Sequence, residues 1–131
     1  MSIIDKWKAA YLYGRALARF HAGRYGEAVK LFETVCTLDP ADDDVEICHA
    51  YLGRSYLAIG EVDQAISHMR RAYNYLVYNK SSDDWRQNDE RSKLLSDYSR
   101  ALKKAGRFTE AEDVDLKAET MLQRQREHSS R

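Results

Sequence analysis

The chain has 131 residues, enough for one small domain and too few for a second core beside it. Its 21 basic and 21 acidic residues cancel to a formal net charge of zero, which argues against a general nucleic-acid or acidic-membrane binder. One proline and six glycines fit an almost wholly helical protein, and two cysteines outside any Cys-x-x-Cys pair supply neither a metal site nor a disulfide framework.

The opening Met1-Ser2-Ile3-Ile4-Asp5-Lys6-Trp7 meets charge too early for a signal peptide or membrane span, so a cytoplasmic protein is expected. Ile3, Ile4, Trp7, Ala10 and Tyr11 form an apolar stripe at helical spacing, expected to pack helix one on helix two. A block of alternating large and small residues follows, Tyr13-Gly14-Arg15-Ala16-Leu17, and then a turn, Ala22-Gly23-Arg24-Tyr25-Gly26-Glu27-Ala28. Phe32 and Val35 face a second helix back onto the first, and Asp39-Pro40 ends the unit. Asp42-Asp43-Asp44 lacks the alternating ligands, Gly and distal Glu of a calcium loop, and reads as helix capping.

The same order then recurs. Leu52-Gly53-Arg54-Ser55-Tyr56 precedes Ile59-Gly60-Glu61-Val62-Asp63-Gln64-Ala65, with Met69 and Ala72 downstream. A polar run, Asn79-Lys80-Ser81-Ser82-Asp83-Asp84, reads as a loop with Ser81 or Ser82 as the next helix cap. Tyr98-Ser99-Arg100-Ala101-Leu102 precedes Ala105-Gly106-Arg107-Phe108-Thr109-Glu110-Ala111, with Asp115 and Ala118 downstream. Each Gly suits the left-handed turn of a helical hairpin, and each Ala five residues on marks close helix approach. Only Asp115 breaks the apolar rule; with Glu112, Asp113 and Glu119 it predicts a polar outer face for the last helix.

Together these blocks resemble the tetratricopeptide repeat (TPR), through Leu52, Gly53, Tyr56, Gly60, Ala65 and Ala72 in the second copy and Phe32 with Asp39-Pro40 in the first. The resemblance implies an all-α, right-handed superhelical stack of three hairpins, six helices in one domain. Repeats are expected at about 6–40, 45–78 and 85–125, with a loop at 79–84 and a polar tail at 126–131. Ala28 to Ala65 spans 37 residues and Ala65 to Ala111 spans 46, against about 34 for the standard unit. Nine residues separate Gly14 from Gly23 where seven separate the later pairs, which predicts a longer or bulged first helix.

Family geometry further implies a concave groove lined by the first helix of each repeat. The expected groove is Tyr11, Leu12 and Arg15, then Ile47, Ala50, Tyr51, Arg54 and Leu57, then Lys93, Asp97, Arg100, Lys103 and Lys104. Arg15, Arg54 and Arg100 would set three guanidiniums along one wall, suited to an acidic segment of a protein partner. The carboxylate clamp of chaperone-tail binders is not supported, because Asp97 stands in its arginine's place and Tyr51 in an asparagine's. Phe20 through Asp39 is also similar to the first repeat of class II type III secretion chaperones, although the long connection before repeat three departs from them.

No Gly-rich phosphate loop, His-Glu-x-x-His or paired nucleophile is present, so no catalytic residue, metal, cofactor or small-molecule substrate is expected. His21, His49, His68 and His128 form no sequence constellation, and Cys36 and Cys48 read as small buried hydrophobes. The leading function is an adaptor that binds a peptide or helix of a protein partner. The alternative is a cytosolic carrier or immunity-type antagonist of one cognate protein. A nucleic-acid regulator acting through Lys103, Lys104, Arg107 and the tail comes last, given the neutral charge. The Trp7 end, or Met121 and Leu122, are the candidate surfaces for self-association.

Overall fold

The computed structural model describes residues 2–38, 42–78 and 85–129. Six helices follow in order: α1 Ile3–His21, α2 Tyr25–Leu38, α3 Asp42–Ala58, α4 Val62–Tyr78, α5 Trp85–Lys104 and α6 Phe108–Ser129. Asp39-Pro40, the 79–84 connection with its Ser81 and Ser82 caps, the side chains of Asp42-Asp43-Asp44 and that of His128 lie outside the described residues. No helix among the described residues is long and apolar enough to cross a membrane.

Three identical turns build the hairpins α1–α2, α3–α4 and α5–α6. Gly23, Gly60 and Gly106 have φ of 78°, 84° and 77°, a left-handed conformation that costs glycine little. The residue after each Gly donates its backbone N–H five residues back, Arg24 to Arg19, Glu61 to Tyr56 and Arg107 to Leu102, at 2.8–2.9 Å. This is the Schellman closure, which satisfies carbonyls left open at a helix end. At the other end of α1, the Ser2 hydroxyl accepts from the Asp5 backbone N–H at 3.1 Å.

Beyond each turn, Ala28, Ala65 and Ala111 are fully buried where the second helix crosses the first. The residue seven before each turn Gly meets the same crossing. At Gly53 a Cβ would lie 2.4 Å from Met69 Cγ and 3.0 Å from the Ala65 carbonyl oxygen. In the first hairpin this position belongs to Ala16, also fully buried, and not to Gly14, which is exposed and where a Cβ would meet nothing within 4 Å. The expected bulge in α1 is therefore absent: Ala16, Gly53 and Ser99 all stand seven residues ahead of their turns.

The hairpins stack in chain order through α2 on α3 and α4 on α5, and α3 also touches α5 directly. The core runs continuously through Phe32, Leu52, Met69, Leu94, Leu95 and Leu102. At the Phe32/Met69 position of the third hairpin stands Asp115. Its carboxyl faces the small position, where Ser99 supplies a hydroxyl, and lies 3.3 Å from the Lys103 ammonium. The neighbouring Ser99 side chain and the Lys103 ammonium hold it below the usual carboxylate range, so the one break in the apolar rule stands beside polar neighbours.

Two sequence expectations are corrected. The stripe of α1 does not pack on α2: Ile3, Ile4, Trp7 and Tyr11 are each about two-thirds or more exposed, and the helix buries Ala9 and Ala16 instead. Two of the histidines do form a constellation, since His49 and His68 approach at 3.0 Å between Nδ1 atoms, with Tyr56 stacked on His68.

Candidate partner-binding face

Counting back from the turn glycines sets the three first helices in common register. Residues six before them are Leu17, Arg54 and Arg100; nine before, Gly14, Tyr51 and Asp97; ten before, Tyr13, Ala50 and Ser96; thirteen before, Ala10, Ile47 and Lys93. Three before are Phe20, Leu57 and Lys103. Arg15 therefore does not share a position with Arg54 and Arg100; it matches buried Leu52 and Tyr98, and in α1 it is exposed with its guanidinium 5.9 Å from the Tyr11 ring centroid.

The structure brings the other two arginines together on one carboxylate. Arg54 Nε donates to Asp97 at 2.8 Å, its Nη1 lies 3.5 Å from Glu90, and Arg100 Nη2 donates to Asp97 at 2.9 Å. The Arg54 guanidinium also sits 5.0 Å from the Phe20 ring centroid and 5.1 Å from that of Tyr51. With its side chain only 14% exposed, Arg54 links all three first helices, while Arg100 remains exposed. The expected wall of three free guanidiniums is thus one structural strut, one exposed cation with a counter-ion, and one arginine on another face.

The remaining expected residues divide the same way. Tyr51 and Leu57 are core residues: the Tyr51 ring stacks on Phe32 at 5.6 Å, and its hydroxyl donates to Glu90 at 2.9 Å. Burial, reinforced by Glu90, pushes the Tyr51 phenol up to about 12. Leu12 leans into the core and Tyr11 points outward. Ile47 and Ala50 are half-buried in the expected register, whereas Lys93, Lys103 and Lys104 are exposed. Lys93 pairs with Asp89 at 3.2 Å and Lys103 with Asp115, leaving Lys104 with no ion pair among the described residues.

Tyr13, Leu17 and Phe20 were missed by the sequence reading. They are half-buried, with one side on the core, and they share the positions of Ala50, Arg54 and Leu57. The distance back from Gly23 carried that information, and the eye-catching Gly14 concealed it. The resulting face is apolar and aromatic along α1 and α3 and cationic along α5. Among the described residues no group of three or more His, Cys, Asp or Glu could hold a metal ion.

Two family models match the chain. Residues 9–42 match a tetratricopeptide-repeat family model, and residues 49–83 match a second tetratricopeptide-repeat model. Among curated proteins, none matches the chain. The two models together cover more than half of the sequence, six helices pair as three hairpins on one shared turn, and the chain belongs to the tetratricopeptide-repeat family.

Proposed function

We propose that this chain is a non-catalytic interaction module that holds a helix or extended segment of a partner protein along the face shared by α1, α3 and α5. Repeats of this family mediate protein–protein interactions, and the register of this chain supports a ligand with two unlike ends. Its apolar anchor would rest over Tyr13, Leu17, Phe20 and Ile47; its acidic end would meet Arg100, Lys103 and Lys104. The observation that carries the reading is the change along this face from half-buried Leu17, Phe20 and Ile47 on α1 and α3 to exposed Arg100, Lys103 and Lys93 at the matching positions of α5. Apolar anchors supply affinity through area removed from water, and charges at the other end fix direction and steer encounter.

The test is capture from native lysate with wild type beside Ile47→Glu and Lys104→Glu, after circular dichroism has shown equal helicity. One partner held by wild type and lost by both variants supports the face. A partner held equally by all three places its site elsewhere. Arg54 is unsuited to such a test, because its removal would loosen the junctions among α1, α3 and α5 as well as any ligand contact.

A further inference from the structure

The outermost face of α1 is built as a stacking face, and none of the described residues covers it. Twelve, eight and five residues before the turn glycine, α3 presents Cys48, Leu52 and Ser55 and α5 presents Leu94, Tyr98 and Ala101, all buried. Those residues meet the second helix of the preceding hairpin: Cys48 Sγ donates to the Phe32 carbonyl oxygen of α2, and Tyr98 packs on Tyr73 and bonds Arg70 of α4. In α1 the same positions are Tyr11, Arg15 and Ala18, all exposed, and Trp7 with Ile3 and Ile4 prolongs the strip toward the helix start.

The far end of the stack differs. Six, nine and thirteen residues after the turn, the positions held by Val29, Phe32 and Cys36 in α2 and by Ile66, Met69 and Tyr73 in α4 become Glu112, Asp115 and Glu119 in α6. That face of α6 thus carries carboxylates where α2 and α4 carry apolar side chains, the polar outer surface of a helix that faces water. Continuing head-to-tail onto α1 of a second copy would take the exposed Glu112 and Glu119 from water against Trp7 and Tyr11. A two-fold antiparallel pairing of α1 with itself sets Lys8 and Arg15 of both copies along one edge, cation against cation.

The same edge defines what does fit. Lys8 and Arg15 flank the apolar strip on one side, neither makes an ion pair among the described residues, and Asp5, the single acid of α1, stands one step further round the helix from the strip, beyond Lys8. We propose that the outer face of α1 docks an amphipathic helix of a partner protein, apolar along the strip that meets Trp7 and Tyr11 and acidic along the edge that meets Lys8 and Arg15. The docked helix takes the place that α2 takes on α3 and α4 takes on α5. Trp7 and Tyr11 are the anchors, being large, amphipathic and exposed.

The test uses the full chain and two synthetic eighteen-residue helical peptides (about 27 Å of helix), with one Leu/Ala strip and either Glu or Lys on the flank. Amide and indole N–H resonances report the site, with the Trp7 indole assigned by Trp7→Phe. The Glu peptide is expected to shift the Trp7 indole and α1 amides and to bind at least about tenfold more tightly than the Lys peptide. Lys8→Glu with Arg15→Glu should reverse the order, and Trp7→Ala with Tyr11→Ala should abolish binding at unchanged helicity, since all four side chains are solvent-facing. Shifts centred on Leu17 and Ile47 would overturn the proposal while favouring the concave face. Equal affinity of the two peptides would overturn it, and so would a sedimentation dimer dissolved by Trp7→Glu, which would make a second copy the occupant.

Discussion

Hairpin one meets hairpin two mainly through rings and sulfur, whereas hairpin two meets hairpin three through the Tyr73–Tyr98 contact and a set of ion pairs. At the first junction Phe32 stacks on Tyr51, Phe20 meets the same ring edge-on at 5.1 Å, and Cys48 reaches the Phe32 carbonyl. At the second, Glu46 and Arg91 form a two-point pair at 2.9 and 3.3 Å with both side chains 10% exposed, Arg54 grips Asp97, and Arg70 joins Tyr98 to Glu110. Apolar contact is non-directional and scales with area, while paired charges add little net stability yet demand one geometry. The difference teaches where each half of the concave face gets its shape. Its apolar half rests on a packed core, and its cationic half is oriented by a buried salt bridge.

The largest effect should come from breaking the first junction. Phe32→Ala removes a fully buried ring that touches Tyr13 and Tyr51, and a loss of about 3–5 kcal/mol is expected in urea unfolding. Breaking the second junction should cost slightly less and behave differently on repair. Glu46→Ala takes both carboxylate contacts from the buried Arg91 guanidinium and should cost about 3 kcal/mol, while Glu46→Leu with Arg91→Met should recover most of that loss. If the double variant is no more stable than Glu46→Ala, the second junction gains its stability from charge, and the contrast between the two junctions collapses.

The hairpins were legible because their signals are local: a turn glycine, an alanine five residues on, and an apolar period between them. Asp115 was legible as an exception but not as half of a pair, because its partner Lys103 stands twelve residues away on another helix. The register of the three first helices was half legible. Ile47, Ala50, Lys93, Arg100, Lys103 and Lys104 stand where the repeat puts them, but Gly14 displaced the register of α1 by two residues and substituted Tyr11, Leu12 and Arg15 for Tyr13, Leu17 and Phe20. Arg54 illustrates a further limit. Its identity suits a ligand carboxylate, but an acid on the next repeat satisfied it first, and only the three-dimensional neighbourhood of Asp97 and Glu90 shows this.

The smallest predicted effect asks whether the aromatic side of the molecule is as indifferent to charge as its rings suggest. Beside the first junction, His49 on α3 and His68 on α4 share a hydrogen bond between Nδ1 atoms that needs one donor and one acceptor. Burial pushes His49 down to about 4, helped by the charges of Arg71 and His68; burial also lowers His68, against the opposing pull of Glu33 and with that of Arg71. Tyr56, stacked on His68 and bonded to Glu33, is the other titratable group facing the pair, and burial with Glu33 pushes it up to about 12, out of this range. As pH falls the unfolded chain takes up protons first, near 6.5, while the folded His49 resists until about 4 and the folded His68 also protonates below its ordinary range. The contribution is therefore whole above neutrality and is lost between those limits, amounting to roughly 2–3 kcal/mol. Urea unfolding of wild type beside His49→Gln with His68→Gln, from pH 7.5 to 4.5, isolates it from carboxylate titration common to both. Parallel curves would show that the imidazoles titrate alike in both states; convergence toward acid pH would show that the ring-packed side also depends on a proton balance.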